Sequence, residues 1–226
     1  MNLCIDMGNT LSKIAVFDDG NKLLVLHRIS SPLSAAILQP YFDKHPIKQS
    51  ILGSVAQENT SAENFLQQQG AFLKFNHQTP ILISNAYKTP HTLGLDRIAA
   101  VVGGQALFPN SNLLVIDAGT CITYDFLDEK KVYHGGAISP GIRIKFKALH
   151  TFTAKLPLVT ITNIDNFIGN TTQTAIQSGV IFGTIAEIDG TIERYRAYCP
   201  NLKVLLTGGD SYFFDTRVFK DSYFRK

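Results

Sequence analysis

The chain of 226 residues has no tryptophan, three cysteines and few charged residues, 17% of the total. Each scarcity excludes something. Cys4, Cys121 and Cys199 are odd in number and far apart, with no Cys-x-x-Cys pair. Neither a disulfide framework nor a zinc site fits them, and a reducing, cytoplasmic setting is expected. Runs of Lys and Arg stop at two residues, and the net charge is only +3. The densest basic group, Arg143, Lys145 and Lys147, alternates with apolar residues as one face of a helix or strand does. No nucleic-acid partner is expected. No uninterrupted apolar stretch nears the roughly 20 residues of a membrane helix. Asp6 also breaks the first apolar segment, so neither a membrane partner nor a signal peptide is expected. What remains is 45% hydrophobic, enough for a sizeable core in one large domain or two small ones.

The first informative stretch is Leu3-Cys4-Ile5-Asp6-Met7-Gly8-Asn9-Thr10-Leu11-Ser12-Lys13. An apolar strand carries a carboxylate and then breaks at a glycine, where the missing Cβ permits a sharp turn and close approach of a ligand. Asn9, Thr10 and Ser12 add donors beside free backbone N–H groups, and Lys13 adds a point charge. Chemically this is a phosphate cradle with an acid at its root. The same residues also suit an ordinary hairpin, and the stretch alone does not choose between the two.

Two further strands, Ile14–Phe17 and Lys22–Ile29, extend it into an antiparallel meander around the Asp18-Asp19-Gly20-Asn21 turn. A helix from Ser31 as N-cap and Pro32 to about Asp43 follows, then a strand at 50–55, a helix at 59–69 ending before Gly70, and a strand at 72–75. Strands that give way to alternating strands and helices point to an α/β layered fold. Pro80 to Pro90 is a connector holding Tyr87. Gly94-Leu95-Asp96-Arg97 then opens an Ala-rich helix, 98–108, whose two glycines suit close packing. An acid there is favoured by the helix dipole and an arginine is not, so Asp96 reads either as a cap or as a functional carboxylate.

After the polar break Pro109–Asn112, Leu114-Val115-Ile116-Asp117-Ala118-Gly119-Thr120 repeats the opening pattern and again continues as strand, turn and strand. The boundary divides the chain into 1–110 and 111–226, each with one acid-rooted glycine turn. Two such turns can grip one polyphosphate from both sides. Beyond them come a glycine-rich loop, His134–Gly141, a helix at 142–151, and a helix from Gln173 to Gly190 or beyond with small residues between Ala175 and Ala186. A third glycine turn, Thr207-Gly208-Gly209-Asp210, follows an apolar strand, and Asp210 reads as an exposed turn residue.

Two acid-rooted turns and a strand ending in Thr-Gly-Gly resemble the actin-like ATPase superfamily. The narrower resemblance is to type III pantothenate kinases. It rests on Asp6–Thr10 with Lys13, Gly94–Arg97, Asp117–Thr120, Gly135-Gly136 with Ser139-Pro140-Gly141, Thr153–Pro157, and Gly169 with Thr172, in family order along nearly the whole chain. Thr171 departs from the pattern, where Asn is expected. The resemblance implies two duplicated actin-like (ribonuclease H-like) domains, each a mixed sheet opening with an antiparallel meander and flanked by helices.

It also implies phosphorylation of pantothenate by ATP, the first step towards coenzyme A. Asp96 would be the general base. Asp6, Met7, Gly8, Asn9, Thr10, Leu11, Ser12, Lys13 and Thr120 would hold ATP. Tyr87, Gly94, Leu95, Asp96, Arg97 and Thr172 would bind substrate. Asp6 would stand near magnesium, Asp117 would hold a monovalent cation (potassium or ammonium), and the chain would form a homodimer through its long helix. A regulatory accessory protein that binds nucleotide, or a kinase of another small alcohol, is the competing expectation. The Gly-Leu-Asp-Arg segment speaks against the first, since pure binding needs no base.

Overall fold

A computed structural model of the chain describes residues 1–8, 11–30, 32–54, 60–162, 164, 166–214 and 223–224. It divides into two compact units, Met1–Pro80 with Thr89–Ala99, and Ile81–Lys88 with Ala100–Lys226.

In the first unit, alternation along β1 (Asn2–Met7) buries Leu3, Ile5 and Met7 and turns Cys4 and Asp6 to the opposite face. Antiparallel β2 (Ser12–Phe17) and β3 (Leu23–Ile29) complete the meander. Next come α1 (Ala35–Lys44), β4 (Gln49–Ser54), α2 (Thr60–Gln69) and β5 (Ala71–Lys74). The sheet order is β3-β2-β1-β4-β5, with β4 and β5 parallel to β1. Its core joins Leu3, Ile5, Ile14 and Val16 to Leu38, Leu52 and Leu66.

Helix α1 starts later than its sequence suggests. Leu33 is buried in the core of this unit, so the chain runs on beyond Pro32, and Ser34 is the N-cap. Pro40 lies within the helix, where it forgoes one backbone donor. The expected cap Ser31 lies outside the described residues, as do Val55 and Asn59.

After the short β6 (Ser84–Asn85) and α3 (Leu95–Leu107), the second unit repeats the same plan. Its strands β7 (Leu113–Ala118), β8 (Cys121–Leu127) and β9 (Val132–Pro140) form an antiparallel meander. The helices α4 (Ile142–Thr151) and α5 (Thr172–Tyr198) follow, then β10 (Lys203–Thr207) and β11 (Tyr223–Phe224). The order β9-β8-β7-β10-β11 mirrors the first sheet, with β6 added at the β9 edge. The duplication expected from sequence is thus present in strand order and direction.

Strand β7 is buried on both faces, as a central strand covered by helices must be. Leu114 and Ile116 join Val180, Ile181 and Ile188 of α5 in one core. On the opposite face Gly104 lets α3 approach the sheet. A Cβ there would lie 2.5 Å from Leu113, 3.1 Å from Val115 and 3.4 Å from Leu205.

The glycine-rich segment expected as a loop is most of β9. Gly135 and Gly136 pair with Phe126 and Asp125. A Cβ on Gly136 would overlap the Tyr124 carbonyl, and Gly135 adopts φ +93. The glycines therefore permit a crowded, irregular stretch of strand rather than a turn.

Candidate active site

Asp6 and Lys13 are directly paired across β1 and β2, and their ion pair spans 3.2 Å. Both side chains are about half exposed, on the face opposite the core. The turn closes through the Gly8 N–H, which donates to the Leu11 carbonyl at 3.2 Å. Alternation buries the side chains of Met7 and Ser12, so what those two residues offer a ligand is backbone. Leu11 is exposed. Asn9 and Thr10 lie outside the described residues.

Gly94 leads into α3, whose first turn carries Leu95, Asp96 and Arg97. Asp96 is exposed, and its Oδ1 accepts the Arg97 backbone N–H at 2.9 Å. That bond orients the carboxylate at the positive end of the helix. A Cβ on Gly94 would overlap Asp96 Oδ1, so glycine is what lets the acid fold back onto its own helix. Arg97 is buried.

In the second unit three glycine turns pack backbone against backbone. The Asp117–Thr120 turn closes through the Gly119 N–H donating to the Cys121 carbonyl at 2.9 Å. Gly141 donates its N–H to the Thr120 carbonyl at 3.1 Å, and a Cβ on it would overlap the carbonyls of Gly119 and Thr120. Gly208, at φ +102, leaves room where a Cβ would overlap the Asp117 carboxylate and the Ala118 backbone. Asp210 donates its N–H to the Ala118 carbonyl at 2.9 Å. Thr120 is exposed.

Asp210 is not the exposed turn residue expected from sequence. It is 3% exposed, and its two oxygens accept from Arg143 Nη1 at 2.6 and 2.8 Å. Arg143 stands in the first turn of α4, where the dipole disfavours a cation, and the buried acid offsets this. The pair joins residues 67 positions apart, which no local pattern reveals. A local signal existed in the acid that follows Gly208-Gly209.

Tyr87 stacks on Tyr133 with ring centres 6.3 Å apart, and Gly135 makes room for its ring. The Tyr133 hydroxyl donates to buried Asp125 at 2.6 Å. Thr172 is exposed as the first residue of α5. Ahead of it Thr171 is the N-cap, in a reciprocal capping box with Thr174 at 3.1 and 3.0 Å. Asn and Thr both cap helices through a side-chain oxygen, so the departure at 171 keeps the cap. Thr172 also lines an apolar groove of about 930 Å³ between α4 and α5, along with Phe152, Leu156, Ala175, Gly179 and Gly183. Phe152 and Phe167 are 85% and 71% exposed.

Comparisons with known proteins bear on the family and the fold. The pattern describing type III pantothenate kinases matches residues 2–194. A type III pantothenate kinase of Phocaeicola vulgatus is 44% identical over 219 residues, covering 96% of this chain and 90% of that one. That of Christiangramia forsetii is 44% identical over 212 residues, covering 93% and 87%. Among solved structures, a candidate Baf family transcriptional activator from Campylobacter jejuni aligns with TM-score 0.60 and 23% identity, covering 99% of this chain and 91% of that one. A candidate 2-dehydro-3-deoxygalactonokinase from Sinorhizobium meliloti aligns with TM-score 0.57 and 11% identity, covering 100% and 93%. At these identities the structures speak for the fold alone, and the fold is the duplicated actin-like one expected from sequence.

Proposed function

We propose that this chain, which belongs to the type III pantothenate kinase family, phosphorylates pantothenate with ATP and a divalent metal, the first step of coenzyme A synthesis. The observation that carries the reading is the family match across residues 2–194, which includes both glycine turns and the Gly94–Arg97 segment.

Asp96 is the general base. Its carboxylate is exposed and oriented by the Arg97 N–H, as a group that must meet a substrate hydroxyl requires. It takes the hydroxyl proton as the oxygen attacks the γ-phosphorus of ATP, and ADP leaves. Arg97, Gly94, Leu95, Tyr87 and Thr172 form the acceptor side. The stacking of Tyr87 on Tyr133 supports its part by fixing the ring. The 6–13 segment binds ATP phosphates, with Lys13 exchanging part of its pairing with Asp6 for phosphate oxygens, and Thr120 contacts phosphate from the second turn.

Asp6, at the root of the first turn, would stand near magnesium, a hard cation that binds through carboxylates, waters and phosphates. Asp117, a carboxylate at the root of the second turn, supplies the hard oxygen ligands that a monovalent cation such as potassium or ammonium takes. Bound cations neutralise charge that develops on the transferring phosphoryl group. The apolar groove beside α5, with its small residues and exposed Phe152, supports a homodimer through that helix. The reading places the enzyme in the cytoplasm; among the described residues no helix is long and apolar enough to cross a membrane. The halves 1–110 and 111–226 each contribute one phosphate turn.

The test is ATP consumption with pantothenate, with and without potassium, on the parent chain and on Asp96→Asn. Pantothenate-dependent turnover is expected, falling by about 10²–10⁴-fold in the variant with ATP binding retained. No turnover above ATP alone under any cation rejects the function. An Asp96→Asn protein as active as the parent rejects the base assignment alone.

A further inference from the structure

Glu187, in the middle of α5, gathers donors from three other elements. Lys145 of α4 donates to Oε2 at 2.5 Å, and Tyr124 of β8 donates to Oε1 at 3.0 Å. Ser139 of β9 donates to the same Oε1 through a very short bond. Lys145 also donates to Thr184, one turn earlier on α5, at 3.0 Å. Ile122 stands opposite Ser139 in the β8–β9 ladder, so Tyr124 is the diagonal neighbour of Ser139 on one sheet face.

This convergence has a consequence at the second glycine turn. Ser139 is two residues ahead of Gly141, which donates its N–H to the Thr120 carbonyl and begins α4 as its N-cap. Pro140 between them stands opposite Cys121 in the ladder but has no N–H to donate, so only its carbonyl can serve the pairing there. With one backbone donor missing at this end of β9, the Ser139–Glu187 bond adds a tie from the side-chain face. Lys145, on the first turns of the helix that Gly141 caps, is held by the same carboxylate. Burial alone would raise the Glu187 pKa, but hydrogen bonds from Lys145, Ser139 and Tyr124 outweigh it and hold the group ionised below the ordinary glutamate range.

We propose that Glu187 is a positioning residue for nucleotide binding, acting through Ser139 to keep Gly141 seated under the Thr120 turn. It touches neither substrate nor metal. The inference rests on the reading of that turn as part of an ATP site.

The test is calorimetric binding of Mg-ATP without acceptor, with melting temperature followed in parallel, on the full chain. Glu187→Ala is expected to weaken binding about 10-fold, in keeping with the loss of a charge-assisted hydrogen bond. Glu187→Gln keeps an acceptor oxygen for Ser139 and Tyr124 and is expected to restore most of the affinity. Ser139→Ala leaves the Lys145–Glu187 pair in place, yet is expected to reproduce the loss. The double variant Ser139→Ala with Glu187→Ala is expected to bind no more weakly than Glu187→Ala alone. Additive losses, or Ser139→Ala binding as the parent does, overturn the proposal. Should Glu187→Ala fail to fold, Ser139→Ala decides alone, since it deletes one hydroxyl. A parent chain that binds no nucleotide overturns the functional reading itself. A parent that binds it, with variants that bind equally well, overturns only the role of Glu187.

Discussion

The two acid-rooted turns share a plan and differ in support. In the first, Asp6 faces Lys13 across the strand pair; in the second, Asp117 faces Thr123. The first turn closes within itself, from Gly8 to Leu11, and its ion pair is about half exposed. The second is backed by the Gly141 and Gly208 turns and by the Arg143–Asp210 pair, whose acid is buried. Duplication therefore preserved strand order while the chemistry diverged. In the proposed reading the first turn, with its side-chain cation, meets phosphate, and the carboxylate of the second holds a cation.

The contrast can be broken at the glycines first. Gly208→Ala is expected to cost on the order of 3 kcal/mol, because it combines a left-handed conformation with overlap of backbone and carboxylate. Gly8→Ala, whose Cβ would stand 2.9 Å from the Leu11 carbonyl, is expected to cost about 1 kcal/mol. Denaturant unfolding measures both, and equal costs would mean that the second turn is no better braced than the first.

A smaller effect is expected at the ion pairs. Asp210→Ala removes a buried acceptor of a charged donor and is expected to cost about 2 kcal/mol. Lys13→Gln breaks a half-exposed pair and is expected to change stability by less than about 1 kcal/mol, while raising the KM for ATP roughly 10-fold through the lost phosphate contact. A Lys13→Gln protein with unchanged KM would remove the first turn from the phosphate site.

Acid titration sharpens the comparison further. Glu187 titrates lower in the folded chain than the ordinary glutamate value. Its stabilisation is thus present above about pH 4.3 and is lost as pH falls through the folded pKa. Between about pH 5 and pH 3 the parent should lose more stability than Glu187→Gln. Parallel pH profiles would show that the Glu187 cluster does not brace the second unit.

The smallest effect is at the helix caps. Thr171→Ala deletes a capping box and is expected to cost about 1 kcal/mol. Ser34→Ala, at a cap with no side-chain hydrogen bond, is expected to be near neutral, and Thr171→Asn should change stability by less than about 0.5 kcal/mol. Melting curves of the three variants decide.

Much of this architecture was legible residue by residue. Asp6-x-Gly8 and Asp117-x-Gly119 announced the repeat, because an acid and a glycine two positions apart at a strand end have a local meaning. The close packing of the glycine-containing helix was legible too, and Gly104 against Leu113 and Val115 bears it out. Gly135 and Gly136 misled for a physical reason. Glycine signals a need for space or unusual φ, and a loop and a crowded strand require it equally. The start of α1 was misplaced because Pro32 is acceptable at a helix start, while burial of Leu33 in the core decided otherwise.

By itself the sequence determined the duplicated strand plan, the glycine turns and an acid at the N-terminus of α3, since these depend on periodicity, backbone freedom and helix-terminal electrostatics within a few residues. Only the tertiary structure decided that Asp210 is buried against Arg143, and that Glu187 joins Lys145, Tyr124 and Ser139. Those partners are 42 to 67 residues apart. A carboxylate's partners at such separations are set by which faces the packed core turns towards each other.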